Sequence, residues 1–532
     1  MLARTGLRGL GLRQNAPPIQ QQQRRLLNHF ISKVPVEAQQ QQQQQQDGSV
    51  AARRFTLAVK DNIATASPST TTCASPFLTT YQSPFEATII TQLRARGAVL
   101  VGKTNLDEFG MGCHSIHSAF GPVSHNRGSD GVERSAGGSS GGSAVAVAEG
   151  DADVALGTDT GGSVRLPAAY TGVVGFKPSY GMLSRHGVVP YANSLDTVGL
   201  LAREVGPIKD LVIGDGLWAE HDPKDPTSLS AAARRRCAKD REGYGVPQQE
   251  EALSLNGIRF GIPLEYNIEE LDPRIRDAWA AAAKLLQGLG ARIVPVSLPS
   301  TRQALSTYYV IAPAEALSNL AKYDGIRYGS RREGSTEDSD GDGGVLYAAN
   351  RGRGFGEEVK RRILLGSYTL SSEAMDNYFL KAQAVRRLVR RDFDRVFRLE
   401  NPLVHEAELS FDLSDLPDSV AMENKFGPTE VDFLLCPTAP TLAPRLEDVL
   451  SQTSAVDAYM NDVFTVPASL AGLPAISIPM PVVASSGAAA AAAGGAEEDT
   501  AGLQLIGQLW DDARLLSVAD ALSKRLSGGR RS

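Results

Sequence analysis

The serine hydroxyls that could act as nucleophiles are concentrated in two glycine-rich clusters, residues 137–143 and residues 161–163. Dense glycine marks backbone that adopts conformations closed to other residues, or backbone that lies against a ligand. A short helix over residues 143–148 and a buried strand over residues 154–157 are predicted between the clusters, so regular structure holds each cluster in a turn. A single cluster of this kind is typical of a flexible linker, but two that alternate with apolar elements indicate a functional site.

Two arrangements of these serines are compatible with nucleophilic catalysis. Residues 137–141 read Gly-Gly-Ser-Ser-Gly and match the G-x-S-x-G elbow, which requires a strand immediately before its serine. Residues 127–136 are polar and contain glycine, so that strand is missing and the elbow interpretation of Ser139 fails. Ser163 follows a predicted strand and precedes the run Arg-Leu-Pro, a context that favours Ser163 as an exposed nucleophile.

Three segments together resemble the amidase signature family of hydrolases. They are residues 59–63 (Val-Lys-Asp-Asn-Ile), residues 137–143 (Gly-Gly-Ser-Ser-Gly-Gly-Ser) and residues 159–167 (Asp-Thr-Gly-Gly-Ser-Val-Arg-Leu-Pro). The resemblance extends from Phe55 to Leu526. It implies a catalytic triad that comprises Ser163 as the nucleophile, Ser139 in a cis peptide as the bridging serine, and Lys60 as the base.

The triad implied by this resemblance makes a specific demand on Lys60. A serine hydroxyl needs a base within hydrogen-bond reach, and lysine can serve only if its pKa falls well below the usual value of about 10.4. Burial at the end of an apolar strand lowers this pKa, because a low dielectric disfavours the ammonium form. Ser139 would relay the proton from Ser163 to Lys60. The predicted oxyanion hole comprises the backbone N–H groups of Thr160, Gly161, Gly162 and Ser163.

The alternation of predicted helices and strands, such as the helix over residues 87–96 and the strand over residues 98–102, indicates an α/β fold. The resemblance implies the amidase signature fold, which has a large, mixed, mostly parallel sheet with helices on both faces. Length alone suggests several domains, but the resemblance implies one amidase signature domain over residues 51–528. Three compositionally biased stretches are predicted to be surface insertions: residues 330–344, 400–426 and 484–500.

The N-terminal residues differ in composition from the rest of the chain. Residues 1–36 contain arginine and lysine but no acidic residue, and their leucines and arginines are spaced for an amphipathic helix. This composition predicts a mitochondrial transit peptide over residues 1–36, with a disordered basic tail as the alternative. Residues 37–50 are predicted to be an unstructured Gln-rich spacer. Family members usually have several helices before the strand at residues 55–59, so a partner protein is expected to cover the face that those helices would occupy.

Composition argues against several classes of function. The net charge of −6 and the sequence pI of about 5.8 argue against unaided binding to nucleic acid. No apolar run approaches the roughly 18 residues of a membrane span. Four scattered cysteines without CxxC spacing are typical of reduced intracellular thiols. One polar loop contains four residues of types that can bind zinc: Cys113, His114, His117 and His125. Their spacing is not that of a zinc site and the loop offers no carboxylate ligand, so no metal site is predicted.

Four further segments resemble the glutaminase subunits of tRNA-dependent amidotransferases within this family. They are residues 308–320, 324–329, 355–366 and 461–474. This resemblance implies glutamine as the substrate, whose α-carboxylate needs a cation and whose α-ammonium needs an anion. The implied substrate ligands are Tyr309, Arg362 and Asp462, with Arg361 as the alternative to Arg362 because nearby insertions blur the register.

The same resemblance implies that ammonia released from glutamine passes to a partner. That partner would be a B-type subunit, which uses ATP and Mg²⁺ to amidate the glutamate of Glu-tRNA(Gln) in the mitochondrial matrix. A small third subunit is also implied, and no cofactor is expected in this chain. Two other classes of function stay open: a stand-alone amidase for other small amides, and a non-catalytic scaffold. The intact triad argues against a scaffold, and the Arg/Asp pair argues against an amidase for apolar amides.

Overall fold

The computed structural model of the chain describes residues 27–46, 54–66, 69–126, 132–242, 255–329, 347–404, 431–451, 454–482 and 499–528. The predicted insertion at residues 330–344 lies outside these ranges, as do most of the insertions at residues 400–426 and 484–500. The first 26 residues of the predicted transit peptide lie outside them as well.

One large sheet contains most of the strands. In chain order the strands are β1 (Phe30–Lys33), β2 (Phe55–Lys60), β3 (Ala98–Thr104), β4 (Ser124–His125), β5 (Arg134–Ser135), β6 (Val154–Asp159), β7 (Val174–Lys177), β8 (Thr197–Ala202), β9 (Arg259–Pro263), β10 (Arg292–Val296), β11 (Phe433–Pro437), β12 (Ala475–Pro481) and β13 (Thr500–Gly507). Strands β4 and β5 form a separate pair. The other strands form an 11-stranded sheet in the order β1-β3-β2-β6-β8-β7-β12-β13-β11-β9-β10.

The sheet is mixed, as predicted, but parallel pairing is less extensive than expected. Strand β2 is parallel to β3 and β6, and β9 is parallel to β10 and β11. The other neighbouring pairs are antiparallel. Parallel neighbours need crossover connections, which the predicted helices supply. Strands β8, β7, β12 and β13 in the middle of the sheet are apolar, and an apolar run does not reveal strand direction.

Helices connect the strands, and several of them pack against the sheet. In chain order they are α1 (Val36–Gln46), α2 (Thr88–Arg94), α3 (Gly141–Glu149), α4 (Arg165–Thr171), α5 (Val205–Lys209), α6 (Ala231–Arg241), α7 (Pro273–Gly288), α8 (Ala304–Leu320), α9 (Ala348–Gly354), α10 (Glu357–Thr369), α11 (Phe379–Val396), α12 (Leu446–Ser451), α13 (Ala455–Tyr459), α14 (Val466–Ala471) and α15 (Asp512–Gly528). Within the described part of the chain, no helix combines the length and the apolar character that a membrane crossing requires.

The sheet buries apolar side chains on both faces. Along β2, Leu57 and Val59 belong to one hydrophobic cluster, whereas the intervening Ala58 belongs to another. In β8, Leu200 belongs to the first of these clusters and Leu201 to the second. Because successive side chains of a strand point to opposite faces, the two clusters lie on opposite sides of the sheet. Helices α7 and α15 contribute to the first cluster and α3 and α4 to the second, so helices cover both faces as predicted.

Residues 27–34, which fall within the predicted leader, contact the sheet. Strand β1 pairs with β3 at the edge of the sheet. His29 Nε2 lies 2.7 Å from Asp151 Oδ2, and the backbone N–H of Asn105 donates to His29 O at 2.9 Å. The predicted leader over residues 1–36 therefore overlaps a strand that pairs with the sheet, and its boundary stays a prediction. A short apolar strand next to basic residues is difficult to distinguish from the apolar face of a leader helix.

The glutamine run forms helix α1, which lies against the sheet edge. Gln42 Oε1 accepts a hydrogen bond from the backbone N–H of Leu100 at 3.0 Å and another from Arg94 NH1 at 3.0 Å. The prediction of an unstructured spacer over residues 37–50 is wrong for residues 37–46. Glutamine has a good helix propensity, and its amide satisfies polar backbone groups that an apolar side chain would leave unpaired.

Candidate active site

The predicted base lies at the end of β2, beneath the first glycine-rich cluster. The Lys60 ammonium group donates hydrogen bonds to Ser139 Oγ at 2.8 Å, Ser140 Oγ at 2.8 Å and Thr158 Oγ1 at 2.9 Å. Its side chain is completely buried. Three hydroxyl groups therefore fix the position of the amine, and each hydroxyl can either accept a hydrogen bond from it or donate one to its neutral form.

Burial sets the protonation state of this amine. It lowers the pKa of Lys60 to about 7, although the buried carboxylates of Asp107, Asp159 and Asp196 favour the ammonium form. A buried amine loses the hydration that stabilises its charge, and here that loss outweighs the carboxylates. Lys60 therefore has a substantial neutral fraction at neutral pH, as a general base requires.

The loop that carries Ser139 is held against Asp107. The Gly138–Ser139 peptide bond is cis, as the resemblance implied. The backbone N–H of Asp107 donates to Ser139 O at 3.3 Å. The Asp107 carboxylate accepts hydrogen bonds from the backbone N–H groups of Ser115 and His117. A Cβ atom on Gly138 would overlap the Asp107 carboxylate, so only glycine allows this approach.

An ion pair closes the turn that carries Ser163. This turn joins β6 to α4, and Asp159 and Arg165 stand at its two ends. The Asp159 carboxylate accepts hydrogen bonds from Arg165 Nε and NH2, both at 2.9 Å, and from the backbone N–H of Val164 at 3.2 Å. Arg165 NH1 also donates to Thr465 O at 2.9 Å. Burial raises the pKa of Asp159, but Arg165 outweighs it, so the pKa lies below its usual value.

Ser163 is the member of the predicted triad with measurable exposure. It is 9% exposed, whereas Ser139 and Lys60 are fully buried. Ser163 O accepts a hydrogen bond from the backbone N–H of Ser140 at 3.1 Å. Within the described ranges, no hydrogen bond joins the Ser163 and Ser139 hydroxyls, and no loop or turn hydrogen bond occupies the backbone N–H groups of Gly161, Gly162 or Ser163. Hydrogen bonds of a catalytic site commonly tighten only when substrate binds.

An aromatic cage surrounds the guanidinium of Arg362. The rings of Tyr191, Tyr309 and Tyr459 lie 5.4–5.5 Å from its central carbon. Arg362 NH1 donates to Tyr191 OH at 2.6 Å, and Nε donates to Glu358 Oε1 at 2.8 Å. Electron-rich ring faces and one carboxylate stabilise this buried cation. Burial lowers the pKa of Arg362, but Tyr191 and Glu358 outweigh it, so the pKa is raised well above its usual value.

The Asp462 carboxylate provides the opposite charge. Its Oδ2 accepts a hydrogen bond from the Cys113 thiol at 3.2 Å, and the Cys113 sulfur lies 3.7 Å from Tyr309 OH. Its Oδ1 is buried and has no hydrogen-bond partner among the residues that the structure describes. Burial raises the pKa of Asp462 to about 6. A Cβ atom on Gly162 would lie 2.8 Å from Oδ1, so this acceptor borders the nucleophile turn.

The structure distinguishes the two arginines that the sequence left open. Arg362 is buried inside the cage, whereas the Arg361 side chain is 50% exposed and pairs with Glu358 from the outside. Tyr309 stacks on Tyr459, with ring centroids 4.0 Å apart. The predicted ligands Tyr309, Arg362 and Asp462 are therefore brought together, and Arg361 lies outside the group.

The loop weighed as a zinc site makes other contacts. Cys113 contacts Asp462 and Tyr309, and His114 Nδ1 lies 2.8 Å from Ser135 Oγ. Burial lowers the pKa of His114 to about 4, so this ring is neutral. Across the ranges that the structure describes, no three His, Cys, Asp or Glu side chains are grouped to hold a metal ion.

Sequence reasoning missed several residues that build this site. They are Cys113, Asp159, Arg165, Tyr191, Glu358 and Tyr459. Some of them left a signal. Glu358 precedes Arg362 by one helical turn, a spacing typical of an ion pair. Asp159 and Arg165 flank the Thr-Gly-Gly-Ser turn. The tyrosines come from distant segments and left no local pattern.

The chain belongs to the amidase family, since the sequence model of that family matches residues 27–516. Its curated relatives include proteins named as the mitochondrial A-type subunit of glutamyl-tRNA(Gln) amidotransferase. The one from Podospora anserina is 66% identical over 99% of this chain and 100% of its own length. The one from Neurospora crassa is 64% identical over 98% of this chain and 99% of its own length.

Solved structures agree with this family assignment. The A-type subunit of glutamyl-tRNA(Gln) amidotransferase from Thermotoga maritima superposes with a TM-score of 0.64 at 34% identity, covering 93% of this chain and 87% of that one. An amidase structure superposes with a TM-score of 0.65 at 26% identity, covering 94% and 92%. The amidase signature fold predicted from the sequence is confirmed.

Proposed function

We propose that this chain is the glutamine-hydrolysing subunit of a glutamyl-tRNA(Gln) amidotransferase. One observation carries the proposal: a buried lysine–serine pair lies beside a serine turn whose Gly162 borders Asp462 Oδ1, a carboxylate oxygen without a hydrogen-bond partner in the described part of the chain. A nucleophile and a recognition group for a charged amide are thus adjacent. The names of the curated relatives support the same function.

The proposed reaction begins with the Ser163 hydroxyl. Its oxygen attacks the side-chain amide carbon of glutamine, and Lys60 takes up the proton through Ser139. The negative oxygen that develops is stabilised by backbone N–H groups of the turn over residues 160–163, a contribution of about 3–4 kcal/mol in comparable sites. The C–N bond then breaks, and Lys60 returns the proton through Ser139 to the leaving ammonia. Water hydrolyses the resulting ester to glutamate and restores Ser163.

The recognition side of the pocket selects an amide that carries an amino-acid backbone. Arg362 would pair with the α-carboxylate of glutamine and Asp462 with its α-ammonium. Tyr309 is one of the rings of the cage around Arg362 and also contacts Cys113, so it would border the bound substrate. A neutral amide without these charges would leave the buried Asp462 carboxylate without a cationic partner, which is costly in a low dielectric, and would gain no ionic contact with Arg362.

Ammonia from this site would pass to partner subunits. We assign to the B-type partner the ATP- and Mg²⁺-dependent amidation of Glu-tRNA(Gln), with a small third subunit completing the assembly. The chain itself holds no cofactor in this scheme. We place the complex in the mitochondrial matrix, which the word mitochondrial in the relatives' names supports at the level of the organelle. The leader would end before Leu27, so that β1 stays in the mature protein.

Ammonia release from glutamine tests this function. The purified chain, with and without its co-expressed partners, is offered glutamine and a panel of small neutral amides. We expect glutamine turnover that rises with the partners and becomes coupled to ATP and Glu-tRNA(Gln). Ser163→Ala should abolish it, with Ser306→Ala on the exposed surface as the matched control. Rapid turnover of neutral amides by the chain alone, unaffected by partners, would favour the stand-alone amidase.

A further inference from the structure

A loop over residues 191–196 joins the cage around Arg362 to the nucleophile turn. At the start of the loop, Tyr191 OH accepts a hydrogen bond from Arg362 NH1 at 2.6 Å. At its end, the Asp196 carboxylate accepts a hydrogen bond from Thr160 Oγ1 at 2.8 Å, and Thr160 begins the nucleophile turn. The proposed reaction does not use Asp196, although its contacts lie at both ends of the site.

The Asp196 carboxylate is buried and surrounded by hydrogen-bond donors. Besides Thr160 Oγ1, its Oδ1 accepts from the backbone N–H of Ala192 at 3.1 Å. Its Oδ2 accepts from the backbone N–H groups of Tyr191 at 2.9 Å and Ala192 at 3.0 Å, and Arg185 NH1 lies 3.9 Å away. Hydrogen bonds to an ionised acceptor are stronger than neutral ones. The carboxylate therefore holds the first two residues of the loop and the side chain of Thr160 together.

Helix α8 fixes the position of this loop. Asn319 Nδ2 donates to Tyr191 O at 3.0 Å, and the backbone N–H of Ser194 donates to Glu315 Oε2 at 2.9 Å. Both anchoring side chains belong to α8, which also carries Tyr309 of the cage. The loop and the cage thus share one rigid support.

The nucleophile turn packs against residues of the recognition side. A Cβ atom on Gly161 would lie 2.8 Å from the Tyr308 ring, and one on Gly162 would lie 2.3 Å from Thr465 Oγ1. Both distances are too short for a side chain, so the turn is closely packed on these sides. The Thr160 hydroxyl adds a directional contact, because a hydrogen bond depends on angle as well as distance.

Asp196 also affects the proposed base through its charge. Together with the carboxylates of Asp107 and Asp159, it favours the ammonium form of Lys60 and so opposes the lowering of the pKa of that amine. Within the described part of the chain, Lys60 directs its hydrogen bonds to hydroxyl groups and to Thr158 O rather than to the Asp196 carboxylate. The direct contacts of Asp196 are therefore those to the loop and the turn.

We propose that Asp196 is a positioning residue that holds the nucleophile turn in place relative to the Arg362 cage. This inference rests on the proposed function, in which glutamine bound by Arg362 presents its amide carbon to Ser163. The two ends of the substrate are bound by segments that are distant in sequence, so a link between these segments sets the alignment of the amide. The N–H groups of the turn act on the transition state, so loss of the link lowers kcat more than it raises KM.

The first test uses the full chain co-expressed with its partner subunits. Thr160→Val removes the hydroxyl that donates to Asp196 and keeps the shape of the side chain, whereas Thr160→Ser keeps the hydroxyl. We expect Thr160→Val to lower kcat for glutamine about 10- to 100-fold, with KM within about twofold of wild type. Thr160→Ser should recover most of this loss. Thr301→Val removes another buried threonine hydroxyl, which donates to Leu298 O, and this matched control should behave like the wild type.

A double-mutant cycle shows whether the loop acts as one unit. Tyr191→Phe removes the hydroxyl that accepts from Arg362 and raises the KM for glutamine. Once either end of the link is broken, breaking the other should matter less. The loss of kcat/KM in the Thr160→Val, Tyr191→Phe double variant should therefore be at least about threefold smaller than the product of the two single losses. Losses that multiply show that the two contacts act independently, and this result overturns the proposal.

Asp196→Asn separates positioning from charge. If Asp196 acted only through its charge on Lys60, this substitution would move the acid limb of kcat/KM to lower pH, and Thr160→Val would leave kcat unchanged. That pair of results overturns the proposal. A lower kcat in Thr160→Val with an unshifted acid limb supports it, because the hydroxyl carries no charge.

Labelling of Ser163 by a fluorophosphonate tests the turn without glutamine. The Ser163 oxygen forms a bond to phosphorus, fluoride leaves, and the proton passes through Ser139 to Lys60. The phosphoryl oxygen then occupies the oxyanion position, so labelling depends on the same N–H groups. We expect Thr160→Val to slow labelling about 10- to 100-fold and Tyr191→Phe to slow it less.

These measurements distinguish failure of the link from failure of the proposed function. A wild-type complex that hydrolyses glutamine, combined with unchanged labelling of Thr160→Val, overturns the link and keeps the proposed function. A wild-type complex that is labelled but releases no ammonia from glutamine removes the proposed function, and slowed labelling of Thr160→Val then still supports the role of Asp196. A wild-type chain that is neither active nor labelled overturns both, because Ser163 is then not a nucleophile.

Discussion

The two halves of the candidate site are built in different ways. The catalytic half consists of Lys60, Ser139 and Ser163, and the recognition half consists of Tyr309, Arg362 and Asp462. In the catalytic half, Lys60 ends β2, Ser163 lies on the turn after the neighbouring strand β6, and Ser139 lies in the loop before α3. This half depends on glycines that let the backbone approach closely. The recognition half comes from α8, α10 and the segment before α14, and its long side chains are held by rings and by one another.

This difference determines how each half tolerates change. Backbone turns closed by the Asp159–Arg165 pair have little freedom, so the catalytic half should lose its activity outright when it is altered. The recognition half relies on several charge and ring contacts around Arg362, so removal of one contact should weaken binding in steps. The predictions below test this contrast.

Lys60→Ala should have the largest effect. Loss of a general base typically costs about 10²–10⁴-fold in rate, so kcat should fall within that range while glutamine binding, measured by calorimetry, stays close to wild type. Lys60→Arg is the matched control, and it should not restore activity because a guanidinium stays charged. An arginine variant with near-normal ammonia release would contradict the role of a neutral amine.

Arg362→Ala should mainly weaken binding. A hydrogen bond to a charged group contributes about 1.5–3 kcal/mol, so the KM for glutamine should rise roughly 10- to 100-fold with a smaller fall in kcat. Arg361→Ala provides the comparison, since that side chain is half exposed. A larger KM increase for Arg361→Ala than for Arg362→Ala would restore the alternative register.

The pH profile should separate the two halves. Lys60, with its pKa lowered to about 7, accepts a proton only above that pH, so kcat/KM should fall about tenfold per pH unit below 7. Asp462, with its pKa raised to about 6, loses its charge below pH 6, so the fall should steepen there. Asp462→Asn should remove the second step and keep the first. A flat profile between pH 5 and 7 would refute both assignments.

Glu358→Gln should have the smallest effect of the four. The substitution keeps the shape but removes the charge that holds Arg362 Nε and accepts from Tyr459 OH at 2.9 Å. We expect the KM for glutamine to rise less than about tenfold, because the aromatic cage still positions the guanidinium. Glu357→Gln, on the exposed side of α10, is the control. An unchanged KM in Glu358→Gln would indicate that the rings alone position Arg362.

The same contrast explains what the sequence could predict. In the catalytic half, Ser163 could be singled out because the glycine clusters, their hydroxyls and the preceding strand are local patterns, whereas the roles of Ser139 and Lys60 came from the family resemblance. The recognition half was reachable only through resemblance, and its register stayed open between Arg361 and Arg362 until burial distinguished them. Tyr191 and Tyr459 could not be predicted, because they reach the cage from distant segments. The antiparallel directions of the strands in the middle of the sheet were also not predicted. The direction of a strand depends on which strands become its neighbours in the fold, and its own apolar sequence does not reveal that.

The anchoring of helix α1 through Gln42 has a consequence for the evolution of the glutamine run. Glutamines added or lost after Gln42 leave its hydrogen bonds to Leu100 and Arg94 in place. A deletion earlier in the run brings an identical side chain to the same position, because neighbouring residues are also glutamine. Another glutamine of the run can thus take the position of Gln42. Its length can drift between related proteins while the edge of the sheet keeps the same hydrogen-bonding partner.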